Sequence, residues 1–433
     1  MRQKIIVLVS VIVLCTLSVS VVACKKSNGQ SSASNKGAVI TLLVNKDQNM
    51  TPIQAVIDSI EEKLGIRTLV DIHPGGIEGD NIIKTRLVTG DMVDIFLYNS
   101  GSLLHAINPA QNILDLTDEP FVAKLGDSFK AAVSVNGRVY GVPAYSAIAG
   151  GWLYNKKIYS ELGLQVPHTW QQLISNLEKV QASGKIALIG TFKDTWSSQI
   201  IVLADQYNVK SVLPNYASDY TANKIKIANT PIALRSFEKL GETRRFYNRD
   251  FLATTYDQGL ELLATGQGAH YPILGSLGNI NQLYGDAVND IGVFGQPGDN
   301  PDNHGITMWE PAGLFIYKNS PNIELAKQWL EYFISQEAID IGIKVSGVKP
   351  DGPWPIKGIK LPADSYPGVL DIQTYLDAGR TAPALEFESP VKGPNLEQFC
   401  VEVGSGIRDA RTAAAAYDLD VQKQAVQLNL PGW

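Results

Sequence analysis

Hydrophobic and polar positions follow two different periods along the chain beyond its N-terminal segment. Val39–Asn45 and Ile66–Ile72 are short apolar runs of the kind that form strands, and Asp94–Tyr98 is a third. Between the first two runs, apolar residues recur at helical spacing from Ile53 to Leu64, and a glycine ends the series. Strands that alternate with helices predict an α/β fold with a mainly parallel sheet.

Residues 135–172 carry the densest set of local signals in the chain. Asn136-Gly137 lies between two apolar runs and predicts a tight hairpin turn. An apolar segment follows at Gly151–Tyr154, and a capping box at Thr169 opens a predicted helix over Trp170–Ser183. A hairpin, an extended span and a new strand–helix unit in succession indicate a crossing between two domains.

The length and composition of the chain support this division. Its 433 residues exceed what a single hydrophobic core usually serves, so two lobes are expected. An apolar content of 45% and a charged content of 18% are typical of a folded body. The formal net charge of −6 argues against a nucleic-acid partner, which would need a surface of clustered Lys and Arg.

The sequence carries no signature of catalysis or of metal binding. It has no nucleophile elbow, no phosphate-binding loop and no dinucleotide-binding glycine motif after a strand. Its five histidines are isolated and lack the spacing of metal ligands, so neither a metal nor another cofactor is expected. The many carboxylates leave open a pair of catalytic acids of the kind that glycosidases use, although nothing in the sequence indicates which two residues would form it.

The N-terminal segment has the organisation of an export signal. Two basic residues precede the apolar run Ile5–Val22, and small residues then lead into Cys24. A membrane anchor helix is the alternative, because the run is just long enough to span a bilayer. The cleavage region resembles a bacterial lipobox, which implies a lipoprotein signal peptide over residues 1–23 and acylation of Cys24, for example with palmitate. A polar flexible tether would follow over residues 24–38.

Three segments in register resemble one protein family. VNGRVYGVP at residues 135–143, WLYNKKIYSELGL at 152–164 and PHTWQQL at 167–173 are similar to its motifs in order and spacing. The family is that of the extracellular solute-binding proteins of ABC-type sugar importers, family 1, the maltose-binding-protein-like group. TGDMVDIFLYN at residues 89–99 resembles another of its segments, with Val93 where the family usually has proline.

The resemblance implies a two-lobed periplasmic-binding-protein-like α/β fold, with a ligand cleft between lobes joined by hinge crossings. The first lobe would hold residues 39–148 and 311–347, and the second residues 149–310 and 348–433. The protein would be a monomer, lipid-anchored on the extracytoplasmic face of a bacterial cell membrane. It would be no enzyme: it would capture a sugar or oligosaccharide by lobe closure and deliver it to the transmembrane permease subunits of an ABC importer.

Aromatic and polar residues near the ends of the predicted strands are the candidate ligand contacts. A sugar ring stacks its C–H face on an aromatic ring and offers its hydroxyl groups to carboxylate and amide side chains. The candidates are Asp47 after the first strand, Tyr98 and Asn99 at the end of the third, Tyr145 and Trp152 in the first crossing, Trp196 in a polar loop, and Trp309 and Glu310 in the second crossing. Core packing is the alternative for the aromatic residues, and a solvated surface is the alternative for the acids.

Other tryptophans and other functions stay open at this stage. Trp170 and Trp329 are interpreted as structural, and Trp354 and Trp433 stay undecided. A secreted carbohydrate-active enzyme would need a carboxylate pair at hydrolytic spacing across the cleft. The protein could instead be a receptor for a peptide, a polyamine or another non-sugar solute, and its affinity for that solute would then not depend on its tryptophans.

Overall fold

The computed structural model describes Asn35 and residues 37–433, so the predicted signal peptide, Cys24 and most of the predicted tether lie outside the described residues. The strands are β1 (Ala38–Asn45), β2 (Ile66–His73), β3 (Ile95–Tyr98), β4 (Ser134–Val135), β5 (Arg138–Val139), β6 (Gly141–Pro143), β7 (Ile148–Asn155), β8 (Ile186–Leu188), β9 (Gly268–Leu274), β10 (Ile291–Gly295), β11 (Ile306–Trp309), β12 (Gly313–Ile316) and β13 (Thr381–Pro383).

The helices cover the faces of two sheets. They are α1 (Met50–Leu64), α2 (Gly76–Thr89), α3 (Ser102–Ala106), α4 (Pro109–Asn112), α5 (Asp127–Ala132), α6 (Lys156–Glu161), α7 (Trp170–Ala182), α8 (Ile200–Leu203), α9 (Gln206–Val212), α10 (Tyr216–Thr221), α11 (Pro231–Thr243), α12 (Tyr256–Ala264), α13 (Leu277–Tyr284), α14 (Ile323–Phe333), α15 (Gln336–Ser346), α16 (Pro367–Asp377), α17 (Leu385–Glu388), α18 (Leu396–Ser405) and α19 (Ala410–Gln427). Among these described helices, none is both long and apolar enough to cross a membrane.

The first lobe is built on a five-stranded sheet with the strand order β2-β1-β3-β12-β6. β1 lies parallel to β2 and β3, as the alternation of strands and helices predicts. β12, however, lies antiparallel to both β3 and β6. β6 therefore runs in the same direction as β1, β2 and β3, so only β12 opposes the other four strands of this sheet, and the prediction of a mainly parallel sheet is confirmed for this lobe.

The second lobe is organised around β7. Its sheet has the order β13-β11-β7-β9-β8, and β10 also pairs with β7. β7 runs antiparallel to β9 on one side and to β10 and β11 on the other. Its Trp152 is 0% exposed, and its ring stacks on that of Phe294 with the centroids 6.1 Å apart. β7 thus supplies the centre of the second lobe's core.

The local signals within residues 135–172 are confirmed. Asn136 and Gly137 have φ angles of 52° and 75°, and they turn the chain between the antiparallel strands β4 and β5. Thr169 accepts a hydrogen bond from the backbone of Gln172, whose side chain returns to the backbone of Thr169. This capping box opens α7, as predicted, and the helix ends at Ala182.

Three connections join the lobes side by side. The first leads from β6 to β7 through residues 144–147, the second from β11 to β12 through residues 310–312, and the third from α15 to α16. The backbone nitrogen of Ala144 donates to the carbonyl of Ala312 (3.0 Å), and that of Ala147 donates to Pro353 (2.8 Å). These hydrogen bonds hold the three connections together as one hinge.

The third connection leaves the first lobe later than the sequence predicts. The expected boundary between residues 347 and 348 assigns everything beyond it to the second lobe. Ile356, however, packs in the first lobe's core and forms a bridge with Leu125, and Ile359 packs against the same core. Leu361, by contrast, packs against the core of the second lobe. The packing of these apolar side chains therefore indicates that the chain passes from the first lobe to the second after Ile359.

Candidate functional site

A cavity of about 860 Å³ lies between the two lobes and is called the cleft below. Its first-lobe wall consists of the loop after β1 and the adjoining faces of α1 and α15. Its second-lobe wall consists of the segment around Trp196 and residues of α12 and α13. The first and third connections close its inner end with residues such as Tyr145 and Trp354. A volume of this size is typical of small-molecule sites.

The first-lobe wall begins where the buried strand β1 ends. The side chain of Asn45 accepts a hydrogen bond from the backbone nitrogen of Asp47 (3.0 Å), which shapes the loop. Asn49 caps α1 by accepting from the backbone nitrogen of Thr51 (3.1 Å). The amide nitrogen of Asn49 is buried and has no partner in the described residues, so this wall presents an unpaired N–H donor.

The second-lobe wall carries an aromatic pair. The rings of Trp196 and Tyr256 have centroids 5.5 Å apart and planes inclined at 47°. The Tyr256 hydroxyl donates to Ser276 Oγ (2.8 Å) and accepts from Asn279 Nδ2 (2.9 Å). Burial raises the pKa of Tyr256 to about 12, with the two hydrogen bonds opposing the shift, so the ring stays neutral at ordinary pH. Side chains held in this way form a preorganised aromatic surface on one side of the cleft.

The inner end of the cleft combines aromatic and polar groups. Burial raises the pKa of the Tyr145 hydroxyl. Hydrogen bonds with the backbone of Ala312 and with Gln48 oppose this shift. Trp354 lines the same end, and its indole nitrogen is buried without a partner in the described residues. The indole N–H is a donor only, so a bound ligand or a water molecule must satisfy it.

Asp351 ties the third connection to the second-lobe wall. Its carboxylate accepts from the backbone nitrogen of Gly278 (2.6 Å) at the start of α13. Burial raises the pKa of Asp351 to about 6, and hydrogen bonds from the amides of Gly278, Ser276 and Leu277 oppose the shift. The helix that carries part of the cleft is thereby attached to the hinge.

Acidic side chains from both lobes face the cleft. Asp47 lines it from the first lobe, and Asp194 and Asp257 line it from the second. The backbone nitrogen of Tyr256 donates to the Asp194 carboxylate (2.6 Å). Burial raises the pKa of Asp47, Lys46 opposes the shift, and the charges of Asp194 and Asp257 add to it. The carboxylates therefore interact across the cleft.

Three of the predicted site residues line the cleft: Asp47, Tyr145 and Trp196. Trp152 lies in the second lobe's core instead, where its indole nitrogen donates to Gln296 Oε1 (2.5 Å). Tyr98 is buried in the first lobe, and its hydroxyl donates to Asp80. Both rings are held by their own lobe, so the structure gives them packing roles.

The other three predicted residues also lie outside the cleft lining. Asn99 is exposed after β3. Trp309 is 5% exposed, and its indole nitrogen donates to Glu386 Oε1 (2.6 Å). Burial raises the pKa of Glu310, and a hydrogen bond with Ser128 opposes the shift. One Glu310 carboxylate oxygen is buried without a partner in the described residues.

Several cleft residues were missed by sequence reasoning. Asn49, Tyr256, Asp257 and Gln282 line the cavity, as does Trp354, which the sequence left undecided. Tyr256 and Asp257 follow the helix cap at Thr255, so a capping signal next to an aromatic residue could have indicated them. Within the described residues, no group of three or more His, Cys, Asp or Glu side chains is arranged to hold a metal ion.

The chain is similar to known proteins over most of its length. The sequence model of the bacterial extracellular solute-binding proteins matches residues 71–340. The multiple sugar-binding protein of Streptococcus mutans is 25% identical over 359 residues, which are 79% of this chain and 81% of that protein.

Solved structures share the fold. The solute-binding protein RafE in complex with raffinose superposes with a TM-score of 0.74 at 19% identity, over 90% of this chain and 100% of RafE. A chitin oligosaccharide binding protein superposes with a TM-score of 0.76 at 20% identity, over 91% of this chain and 100% of its own. With two lobes, a cleft between them and a family match over more than half of its residues, the chain belongs to the bacterial extracellular solute-binding proteins.

Proposed function

We propose that the chain captures a carbohydrate in the cleft and delivers it to the permease of an ABC importer. The observation that carries this proposal is the pairing of Trp196 and Tyr256 opposite a wall where the buried amide nitrogen of Asn49 has no partner in the described part of the chain. An aromatic ring suits the C–H face of a sugar, while the Asn49 amide and the Asp47 carboxylate suit the hydroxyl groups on its edge. The sugar-binding relatives support the same substrate class.

Lobe closure is the proposed means of capture. Residues 144–147, 310–312 and the third connection form the hinge, and walls from both lobes would enclose the ligand. The ligand can favour the closed form only through contacts that it makes better in that form. Contacts to Trp196 on one lobe and Asn49 on the other meet this requirement, because the open form cannot make both at once.

The test is calorimetric titration of the purified chain with raffinose, stachyose, melibiose and chitin oligosaccharides. We expect one-to-one binding of at least one of them. Trp196→Ala should weaken that binding by about fivefold or more, as the loss of a stacked ring costs on the order of 1 kcal/mol or more. Trp433→Phe, at a tryptophan outside the cleft, is the matched control. Unchanged affinity in Trp196→Ala would favour a receptor for a non-sugar solute.

The same samples test for catalysis. The function proposed here makes and breaks no bonds, so a bound oligosaccharide should be recovered intact after prolonged incubation. Accumulation of reducing ends in proportion to time and enzyme would instead support a carbohydrate-active enzyme, with its general acid and base among the cleft carboxylates.

A lipid anchor is proposed for the segment before the described residues. The sequence of residues 1–24 supports cleavage before Cys24, acylation of that residue and attachment of a monomeric receptor to the outer face of the cell membrane. Cys24→Ser should abolish labelling of the chain with radioactive palmitate, because the thiol that would carry the acyl group is gone. Labelling that persists in this variant would contradict acylation of Cys24, and an unlabelled parent chain that stays in the membrane fraction would support an uncleaved anchor helix.

A further inference from the structure

Most of the charge that lines the cleft is negative. Within the part of the chain that the structure describes, six charged side chains line it: Lys46, Asp47, Asp194, Asp257, Lys349 and Asp351. Two of the six are engaged outside the ligand space. Lys349 forms an ion pair with Asp364 (2.8 Å), and Asp351 is turned to the start of α13, where it accepts from the three backbone amides of Gly278, Ser276 and Leu277. Three carboxylates and a single ammonium group therefore remain for a ligand.

These three carboxylates lie on opposite walls. Asp47 follows β1 in the first lobe, whereas Asp194 and Asp257 belong to the second. Asp257 lies in the first turn of α12, directly after Tyr256, which belongs to the aromatic pair. Asp194 is held in place by the backbone nitrogen of Tyr256 (2.6 Å). A sugar stacked on the aromatic pair would therefore be flanked by negative charge from both lobes.

We propose that the cleft selects its saccharide by charge. It accepts neutral sugars and sugars that carry an ammonium group, and it rejects those that carry a carboxylate or a phosphate. This inference rests on the proposed carbohydrate function and specifies the substrate class of the same site. An anionic substituent would be brought close to at least two carboxylates as the lobes close, in an environment that water screens less than bulk solution. A hydroxyl group or an ammonium group would instead donate hydrogen bonds to them.

The test compares ligands that differ in one substituent. Raffinose, melibiose and stachyose each end in a galactose whose C6 can be left as the alcohol, converted to the amine or oxidised to the carboxylate. For whichever parent sugar binds, the carboxylate should bind at least tenfold more weakly, and the amine as tightly as the parent or more tightly. The difference in affinity between the amine and the carboxylate ligand, called the gap below, should become smaller when the salt concentration rises from about 20 mM to about 0.5 M, because added salt screens charges.

Asp257→Asn tests the charge of this side chain without changing its shape. This change keeps the size of the side chain, and it should narrow the gap between amine and carboxylate severalfold. Asp302→Asn, at an exposed acid outside the cleft lining, is the matched control and should leave the gap unchanged. Equal affinity for the parent sugar and its carboxylate, or a gap that responds to neither salt nor Asp257→Asn, would overturn the inference alone. Failure of every neutral sugar to bind would overturn the proposed function, and the inference with it.

Discussion

The side chain of Gln282 donates a hydrogen bond to Thr51 Oγ1 across the mouth of the cleft, with 3.0 Å between the two atoms. Gln282 belongs to α13 of the second lobe and Thr51 to α1 of the first, so this hydrogen bond directly joins the two lobes. It can form only when the lobes are close together. Gln282 is therefore placed to stabilise the closed form and to slow the escape of a ligand.

Gln282→Ala should speed ligand dissociation. A hydrogen bond of this kind contributes about 1 kcal/mol net, which corresponds to roughly a fivefold increase in the dissociation rate constant. Stopped-flow displacement of a bound sugar measures that rate. Gln373→Ala, at a half-buried glutamine of α16 outside the cleft lining, is the control. An unchanged dissociation rate in Gln282→Ala would show that this contact does not hold the closed form.

Trp354→Phe should have opposite effects on ligand binding and on the stability of the ligand-free protein. The change keeps an aromatic ring at the inner end of the cleft but removes the buried N–H that lacks a partner in the described residues. An unsatisfied buried donor costs about 1–3 kcal/mol, so the ligand-free variant should be as stable as the parent or more stable. A ligand that pairs with this N–H should bind roughly fivefold more weakly to the variant.

Thermal unfolding and calorimetric titration of Trp354→Phe check these two effects separately. A loss of stability with unchanged affinity would assign the Trp354 indole to the packing of the hinge. It would also show that this N–H does not bind the ligand.

Asp351 should make the stability of the chain depend on pH. Burial raises its pKa to about 6 from the ordinary value of 3.8. Between these two values the folded chain binds more protons at this group than the unfolded chain, so this contribution to stability is lost as the pH rises from 4 to 7. The pKa difference corresponds to at most about 3 kcal/mol.

Asp351→Asn isolates this contribution. The Asn side chain can still accept from the backbone of Gly278 but has no charge to bury. The unfolding free energy of the parent, relative to that of the variant, should fall as the pH rises from 4 to 7. Urea titrations at several pH values measure this difference. Parallel curves for parent and variant would mean that Asp351 titrates at its ordinary pKa.

A buried ion pair should be essential to the second lobe. Lys239 Nζ lies 2.6 Å from Asp205 Oδ1, and both side chains are fully buried. Asn208 (2.7 Å) and Ser236 (3.1 Å) also donate to the Asp205 carboxylate. Lys239→Met leaves that carboxylate buried without its cation, and the expected loss of stability is about 3–5 kcal/mol.

Chemical denaturation followed by tryptophan fluorescence reports on this pair, because Lys239 lies over the ring of Trp170 at 5.5 Å. The double variant Lys239→Met, Asp205→Leu should recover much of the loss, since it removes both charges. Lys63→Met, at an exposed lysine, should leave the unfolding transition nearly unchanged. A double variant no more stable than the single one would show that the pair holds a specific packing that apolar residues cannot replace.

The short-range features of this protein are determined by its sequence. A turn at Asn136-Gly137 needs two residues that tolerate positive φ, and a capping box at Thr169 needs only the residue three positions later. These signals act within a few residues, so they could be read without knowledge of the fold. The apolar periods of β1 and α1 could be read in the same way, and the family motifs extended these local predictions to two lobes.

Only the tertiary structure decides which aromatic residues meet the ligand space. Trp152 and Trp196 are both next to small residues in the sequence, yet β7 has strands on both sides and Trp170 packs edge-on against Trp152 at 6.2 Å. Trp196 lies in a short 3-10 segment beyond β8 and pairs with Tyr256, sixty positions away in the chain. The Trp354 indole N–H, which has no partner among the residues that the structure describes, is likewise a property of the folded chain, since its environment comes from segments distant in sequence. Whether a side chain is buried, and which groups it contacts, depend on long-range packing, which local periodicity does not encode.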